Sequence, residues 1–379
     1  MERKLVDICR IQYGYAFDSA KFSDTDGIPL IRIRDVVRGY SETFTTEQCT
    51  KEYIVNDDDM LIGMDGEFNI AHWKGGKAYL NQRVCRLIPT DEVDSLYLFY
   101  FMPKALKAIE AKTPFVTVKH LSAKELNKIV VPIPLMEEQK KIANSLQKVD
   151  ELIALRKEQL AKLDQLVKSR FVELFGDVEH NEKKLPTLPM TDLCEIIDGD
   201  RGKNYPKQEE FSEKGFCLFL NAKNVTANGF SFENSMYITE EKDNSLRKGK
   251  LNRGDVVLTT RGTIGNLAFY DDSVPYEHMR INSGMVILRM KHDRITERFF
   301  IEQFKMQLVS IKEKIASGSA QPQLPISTMN KIMMLVPDVD LQNQFAAFVE
   351  QTDKSKMAIQ QSLDKLELLK KSLMQQYFG

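Results

Sequence analysis

Residues 142–174 contain neither Gly nor Pro, and every seventh residue from Leu146 is apolar: Leu146, Ile153, Leu160, Val167, Leu174. A second seven-residue series runs beside it, through Ile142, Val149, Arg156, Leu163 and Arg170. Two such columns on one helix form a coiled-coil seam. At 1.5 Å per residue the stretch spans roughly 50 Å, too long for an ordinary core helix. Phe175-Gly176 closes it, with the Gly as a helix stop. A seam of this kind needs a partner helix, and the chain holds a second one.

Lys168-Ser169-Arg170-Phe171 leads to Phe175-Gly176, and Lys371-Ser372-Leu373-Met374 leads to Phe378-Gly379, a step of 203 residues. The same step relates Leu163 to Leu366, Ile142 to Phe345, Gln139 to Gln342, Pro134 to Pro337, Ile129 to Ile332 and Leu126 to Met329. The second seam therefore reads Phe345, Thr352, Ile359, Leu366, Leu373 and Val349, Lys356, Leu363, Lys370, Tyr377. Arg156 and Arg170 stand where the other copy has Ile359 and Leu373; Lys356 and Lys370 stand where it has Ile153 and Val167. These four side chains either lie against apolar positions of the other helix or turn outward; the cost of burying an unpaired charge favours the outward arrangement.

The repeat reaches the front of each half. Asp7-Ile8-Cys9 resembles Asp192-Leu193-Cys194, and Asn56-Asp57-Asp58-Asp59-Met60-Leu61-Ile62 pairs with Asn252-Arg253-Gly254-Asp255-Val256-Val257-Leu258. Gly66 matches Gly262, and Asn81 matches Asn282. Two units follow, 1–176 and 177–379, as a pseudo-two-fold internal repeat. The expected fold is α+β: two tandem mixed α/β domains, each followed by a long helix. The two helices pair as an antiparallel intramolecular coiled coil, with self-association secondary.

In unit one the patterning predicts a short helix or turn at 5–11, strands at 29–33 and 60–64, and a loop at 65–76. Strands at 77–80 and 84–88, helices at 95–111 and 122–127, and a strand at 129–131 follow. Unit two repeats this with strands at 216–220, 256–260, 266–270 and 285–289, a helix at 297–314 and a strand at 332–336.

A formal charge of −1 argues against a generally basic nucleic-acid binder, so any such role rests on local patches or on a partner. The five cysteines (Cys9, Cys49, Cys85, Cys194, Cys217) form no CxxC pair and read as reduced thiols. The five histidines are scattered, which argues against zinc. No signal peptide and no membrane span is expected. There is no phosphate-binding loop, no nucleophile elbow and no amino-methyltransferase tetrapeptide. The acidic run 57–59 reads as a solvated turn rather than a metal site, because only Asp59 has an acidic counterpart, Asp255.

The chemistry lies in polar loops. Asp65, Glu67 and Asn69 lead to His72, Trp73, Lys74 and Lys77, then to Gln82 and Arg83, with Lys119 and His120 later. Unit two carries Arg201, Lys203, Asn204, Tyr205, Lys223, Asn224, Arg261, Thr263, Arg280, Asn282, Ser319 and Gln321. Asn and Gln pair two-pronged with adenine, Arg and Lys with guanine, and carboxylates accept from cytosine. Trp73, set among Gly and Lys, reads as exposed.

In this arrangement the chain resembles the specificity subunit of bacterial type I restriction-modification systems, over essentially its whole length. In unit one the resemblance rests on Met64-Asp65-Gly66-Glu67-Phe68-Asn69, Asn81-Gln82-Arg83-Val84, His120-Leu121-Ser122, and Pro132-Ile133-Pro134-Leu135 with Glu138-Gln139. In unit two it rests on Arg261-Gly262-Thr263-Ile264-Gly265, Gly318-Ser319-Ala320-Gln321-Pro322 and Leu341-Gln342-Asn343-Gln344-Phe345-Ala346. Unit one has Thr117-Val118-Lys119-His120 in place of the Gly-Ser-x-Gln-Pro piece, which fits two recognition domains of different subtype.

The resemblance implies target recognition domains at 1–137 and, with a linker, 177–340, and spacer helices at 138–176 and 341–379. Each domain would read one half of a bipartite site in double-stranded DNA, and the helix pair would set the gap. The chain would do no chemistry and carry no cofactor or metal. One specificity subunit would seat two methyltransferase subunits using S-adenosylmethionine and be joined by restriction subunits using ATP and Mg, in the bacterial cytoplasm at the nucleoid. The rival readings are the specificity subunit of a type II methylase-nuclease system, a DNA methyltransferase or nuclease in its own right, and a coiled-coil scaffold without DNA specificity.

Overall fold

The structure, a computed structural model, describes residues 1–112, 119–291, 294–316 and 323–379. The chain divides into two compact units, Met1–Glu158 with Gln360–Gly379, and Gln159–Ile359.

Unit 1 is built on a four-stranded antiparallel sheet in the order Cys9–Tyr13, Val84–Pro89, Met60–Gly63, Ile70–His72. A second sheet holds the parallel pair Ile28–Ile31 and Ala78–Leu80, and Glu2–Lys4 pairs with Val130–Pro132. The helix Ser95–Lys112 buries Tyr97, Leu98, Tyr100, Phe101, Met102 and Leu106. Unit 2 has the same order in Cys194–Asp198, Met285–Met290, Val256–Thr259, Leu267–Phe269, and its own parallel pair, Cys217–Leu220 with Met279–Ile281.

Matching acidic side chains, Asp59 half-buried and Asp255 buried, hold the two frameworks. Asp59 accepts from Asn56 N at 2.8 Å and pairs with Arg86 at 2.8 Å; Asp255 accepts from Asn252 N at 2.7 Å and takes two Arg289 bonds at 2.8 Å. The acidic turn is thus a strand-entry clasp. Gly14 lies against the Asn81 carbonyl and Gly199 against that of Asn282, where a Cβ would stand 2.0 and 2.1 Å from the oxygen. Only glycine permits that approach.

Both long helices run 40 residues, Met136–Phe175 and Val339–Phe378, starting about a turn and a half before the first seam residue. A buried glutamine fixes each start. Gln139 Oε1 accepts from Asp94 N at 2.9 Å and Nε2 donates to Pro134 O; Gln342 Oε1 accepts from Thr296 N at 2.9 Å and Nε2 donates to Pro337 O.

Each unit contains a segment of both helices, packed antiparallel. Unit 1 sets Ile142, Ala143 and Leu146 with Leu373, Met374, Tyr377 and Phe378 in one core. Unit 2 sets Val167, Phe171 and Phe175 with Phe345 and Val349, and Phe175 meets Phe299 and Phe345 at centroid distances of 4.7 and 5.6 Å. Val149, Ile153 and Leu363 are buried in the seam, as is Thr352, while Leu160, Leu163, Ile359 and Leu366 are half-buried.

The four basic interruptions do not turn outward. Lys370 Nζ reaches Asp150 at 2.6 Å and Arg156 Nε reaches Ser362 Oγ at 3.1 Å in unit 1. In unit 2 Lys356 Nζ meets Asp164 at 2.5 Å, and Arg170 binds Glu173 at 2.8 Å with its guanidinium 6.0 Å from the Phe348 ring centre. The expected cost of burial is avoided because the opposing helix supplies polar partners to Arg156, Lys356 and Lys370, Arg170 pairs within its own helix, and all four groups are only half-buried.

Three local expectations are corrected. The segment 29–33 is not all strand, because a helix starts at Ile33 and runs to Arg38, closed by Gly39 at φ 80°. Residues 9–11 belong to the strand Cys9–Tyr13, since they pair with Leu87–Pro89 of the sheet centre. The loop at 65–76 holds the strand Ile70–His72, paired to Met60–Ile62.

Candidate nucleic-acid interface

At one end of the unit 1 sheet three loops are fastened by backbone bonds. Met64 N donates to Arg83 O at 3.0 Å, Leu121 N to Met64 O at 2.7 Å, and Gly66 N to Lys119 O at 2.9 Å. Met64 therefore sits between the 81–83 and 119–121 loops, and Asp65 emerges at their junction. Its carboxylate meets His120 Nδ1 at 2.5 Å and Arg83 Nε at 3.5 Å. Glu67, Gln82, Arg83 and His120 are exposed around it. Lys119 is partly covered and faces Glu110 at 3.4 Å. Asn69 is half-buried and donates to Glu67 O at 3.3 Å.

Unit 2 repeats the fastening with other side chains. Leu324 N donates to Thr260 O at 3.0 Å and Thr260 N to Gly284 O at 2.9 Å, and Arg261 bridges Gln323 where Asp65 bridges His120. Asn282 Oδ1 caps Gly284 N at 2.9 Å, as Asn81 Oδ1 caps Arg83 N at 3.3 Å. Arg201 reaches in from another loop, bound to Asp198 at 3.1 Å and Ser283 O at 3.2 Å. Asp198, Arg201, Thr260, Arg261 and Gln323 line an open cleft of about 250 Å³. The Arg201 loop is stapled by Asp200, whose carboxylate accepts from Gly202 N at 2.6 Å and Arg247 N at 2.7 Å. The Gly202 bond, more than any other contact, holds that carboxyl below the usual range. Both ends thus present exposed donors and acceptors on rigid backbone, suited to reading base edges.

A family model described as the type I restriction modification DNA specificity domain matches residues 1–165 and 183–368. The chain belongs to the type I restriction-modification specificity family. It is 26% identical to the EcoBI type I restriction enzyme specificity subunit of Escherichia coli, over 98% of this chain and 84% of that one. Against the MjaVIII specificity subunit of Methanocaldococcus jannaschii it is also 26% identical, covering 91% and 87%. In fold it is similar to the solved type I restriction-modification S subunit from M. genitalium, with a TM-score of 0.62 at 16% identity over 100% and 96% of the two chains.

As a specificity-family member, the chain does not expose every side chain that its sequence puts forward. Trp73 is fully buried among Ile31, Val36 and Leu61, and its indole N–H donates to Gly76 O at 2.6 Å. Arg280 is buried, bound to Asp243 at 2.7 Å and to Lys248 O at 2.6 Å. Asn224 is buried, donating to Ser231 O and Asn234 O. None of these three presents an edge to a ligand. Burial of Asp243 works to raise its pKa, but the Lys250 and Arg280 bonds outweigh it and hold the carboxyl low.

His72, Lys74 and Lys77 lie elsewhere in unit 1. Ile70 pairs with Ile62 and His72 with Met60, so the chain after His72 is at the far end of that strand from Asp65. His72 stacks on Phe99 at 4.3 Å, and burial lowers its pKa. In unit 2, Lys203, Lys223 and Thr263 are exposed, Tyr205 packs on Phe219, and Asn204 donates to Ser245 O at 2.9 Å. Ser319 and Gln321 lie outside the described residues. Gln323, from the late polar stretch 319–323, joins the site, as does Asp198, which was not singled out as a reader. The signal for Asp198 was weak, since nothing in the sequence ties position 198 to position 261.

All five cysteines are free, and burial pushes Cys9, Cys85, Cys194 and Cys217 up to about 12, which removes them as nucleophiles near neutral pH. Among the described residues no group of three metal-binding side chains comes together, and no helix is long and apolar enough to cross a membrane.

Proposed function

We propose that the chain recognises a bipartite site in double-stranded DNA, with the 64–69, 81–83 and 119–121 loops reading one half and the 201–205, 260–263, 282–284 and 323–324 loops reading the other. One observation carries this reading. The two units fasten their loops by the same backbone bonds, yet place Asp65 and His120 in one where Arg261 and Gln323 stand in the other. Equal scaffolds with unlike exposed groups suit two different half-sites.

In this reading residues 1–137 and 177–340 are the recognition domains, and 138–176 and 341–379 the spacer helices. One such subunit seats two adenine methyltransferases, which carry S-adenosylmethionine, and restriction subunits supply ATP- and Mg-dependent cleavage. This chain is non-catalytic and acts at the bacterial nucleoid. Two readers on one face of a duplex sit ~34 Å apart, or a multiple of that, and a 40-residue helix of ~60 Å leaves room for such a gap.

The test is to co-express the chain with its methyltransferase and map methylated adenines genome-wide. A two-part motif with a fixed gap is expected; a continuous motif, or none, refutes the reading. For the spacer role, Asp150 to Asp164 and Lys356 to Lys370 are both steps of fourteen residues, so matched four-residue insertions between them keep both ion pairs. These should lengthen the gap by at least a base pair and leave both half-sites intact. A constant gap sinks the ruler idea.

A further inference from the structure

Beside the loop cluster of each unit stands a residue at the end of a parallel strand: Arg32 in unit 1 and, in unit 2, Asn221 of the polar stretch 221–224. In unit 1 the parallel pairing sets Leu30 beside Tyr79 and Ile31 beside Leu80, so Arg32 leaves the sheet next to Asn81. Its neighbour Ile33 lies on Gly63 together with Asn69: a Cβ at Gly63 would stand 3.2 Å from Ile33 Cγ2 and 2.9 Å from Asn69 Oδ1. Arg32 is therefore set between the 63–69 loop and the 81–83 loop, at the end of the sheet where Asp65 and Arg83 are.

The backbone of this residue is held rigidly from below. Arg32 N donates at 2.9 Å to Asp35, which is fully buried and also takes Ser41 Oγ at 3.2 Å. The nearby charges are spent on other residues, since Asp35 faces Arg34 and Arg38 at 3.7 and 3.9 Å. The Arg32 side chain is exposed, and among the described residues its guanidinium has no hydrogen-bond or ion-pair partner.

Unit 2 has the same device. Leu220 pairs with Ile281, so Asn221 leaves its sheet beside Asn282. Asn221 N donates at 2.9 Å to Asn224, which is fully buried as Asp35 is. Here the side chain is a half-buried amide whose Oδ1 is taken by Lys223 N at 2.9 Å, leaving its NH₂ to donate. A clasped backbone with an interchangeable side chain suits a reader position. An unpaired forked guanidinium matches the O6/N7 edge of guanine.

We infer that Arg32 and Asn221 are paired specificity positions, with Arg32 reading a guanine in the half-site of unit 1 and Asn221 donating to a base acceptor in that of unit 2. This rests on the reading of the chain as a bipartite DNA-recognition subunit.

The test compares methylation maps of the chain with its methyltransferase for wild type, R32A, R32K and N221A. Melting curves confirm that each variant is folded. Expected for R32A is a loss of discrimination of about tenfold to a hundredfold at one G·C pair of one half-site, with the other half-site and the gap unchanged. R32K should restore it only in part, because an ammonium can donate to the guanine edge but lacks the planar fork. N221A should relax the opposite half-site. The inference is overturned if R32A maps like wild type or if methylation falls equally at all sites, the second marking a phosphate contact. A wild-type map without a bipartite motif would fail the underlying reading, a result separate from any of these.

Discussion

The ends of the two sheets are the same site built twice with different side chains. In unit 1 a carboxylate, Asp65, gathers an imidazole and a guanidinium. In unit 2 a guanidinium, Arg261, stands at that position, with a second, Arg201, tied to Asp198 beside it. Beneath these groups little differs: Asn81 and Asn282 cap matching turns, Gly14 and Gly199 allow matching approaches, and Gln139 and Gln342 anchor matching helices. The lesson is that buried hydrogen bonds carry the framework, while exposed side chains can change sign without disturbing it. Paired substitutions in the two units test how far that division holds.

The largest asymmetry to exploit is Asp243, which has two cationic partners in unit 2, one of them the buried Arg280. Asp243→Asn leaves that guanidinium without its counter-charge and should cost about 3–5 kcal/mol. Its carboxyl is held low in the fold, so its stabilisation is present above the ordinary Asp value of ~3.9 and disappears as the pH falls through the lower folded value. Denaturant titrations should show the difference between wild type and D243N narrowing below about pH 4. An unchanged difference at pH 2–3 would mean that the loss is one of packing rather than charge.

A smaller effect tests the sameness of the frameworks. Gln139→Ala and Gln342→Ala each remove a clasp on a helix start, leaving a buried N–H and carbonyls unpaired, at about 1–3 kcal/mol. The two losses should agree within measurement by thermal melting. A harmless change in one unit and a harmful one in the other would break the comparison.

Smallest are the cross-helix ion pairs. Asp164 is 71% exposed and Asp150 34%, so Lys356→Ala and Lys370→Ala should each cost less than about 1 kcal/mol and lose even that in high salt. Salt-dependent unfolding reads this directly. A loss above 2 kcal/mol in either would show that the lysines do more than pair.

The repeat, the long helices and most strands were legible in sequence because they depend on local period and on the 203-residue step. Side-chain exposure was not. Trp73 sits in a Gly/Lys-rich run that reads as a solvated loop, but its burial comes from Ile31, Val36 and Leu61, brought in by other segments. Arg280 reads as a loop donor because its partner Asp243 is 37 residues away. The strand Leu267–Phe269 was readable, whereas its counterpart Ile70–His72 was lost in a polar stretch. The basic seam residues were misjudged for the same reason, since which acid opposes a lysine depends on the register of two helices far apart in the chain. Arg32 is a further case: its pattern is that of a strand ending, and only the pairing of Ile31 with Leu80 brings it beside Asn81.

The segments that make up each unit also bear on the order of events during synthesis. Unit 2 is continuous, Gln159–Ile359, and can complete its core, Phe171 and Phe175 included, once that stretch has left the ribosome. Unit 1 cannot. Its core needs Phe378, Met374 and Leu373, which emerge some two hundred residues after Glu158, and Lys104 waits for the carbonyls of Phe378 and Gly379. The half of the protein that is made first is therefore the last to be finished. Limited proteolysis of ribosome-bound chains should find unit 2 protected while unit 1 is still being cut.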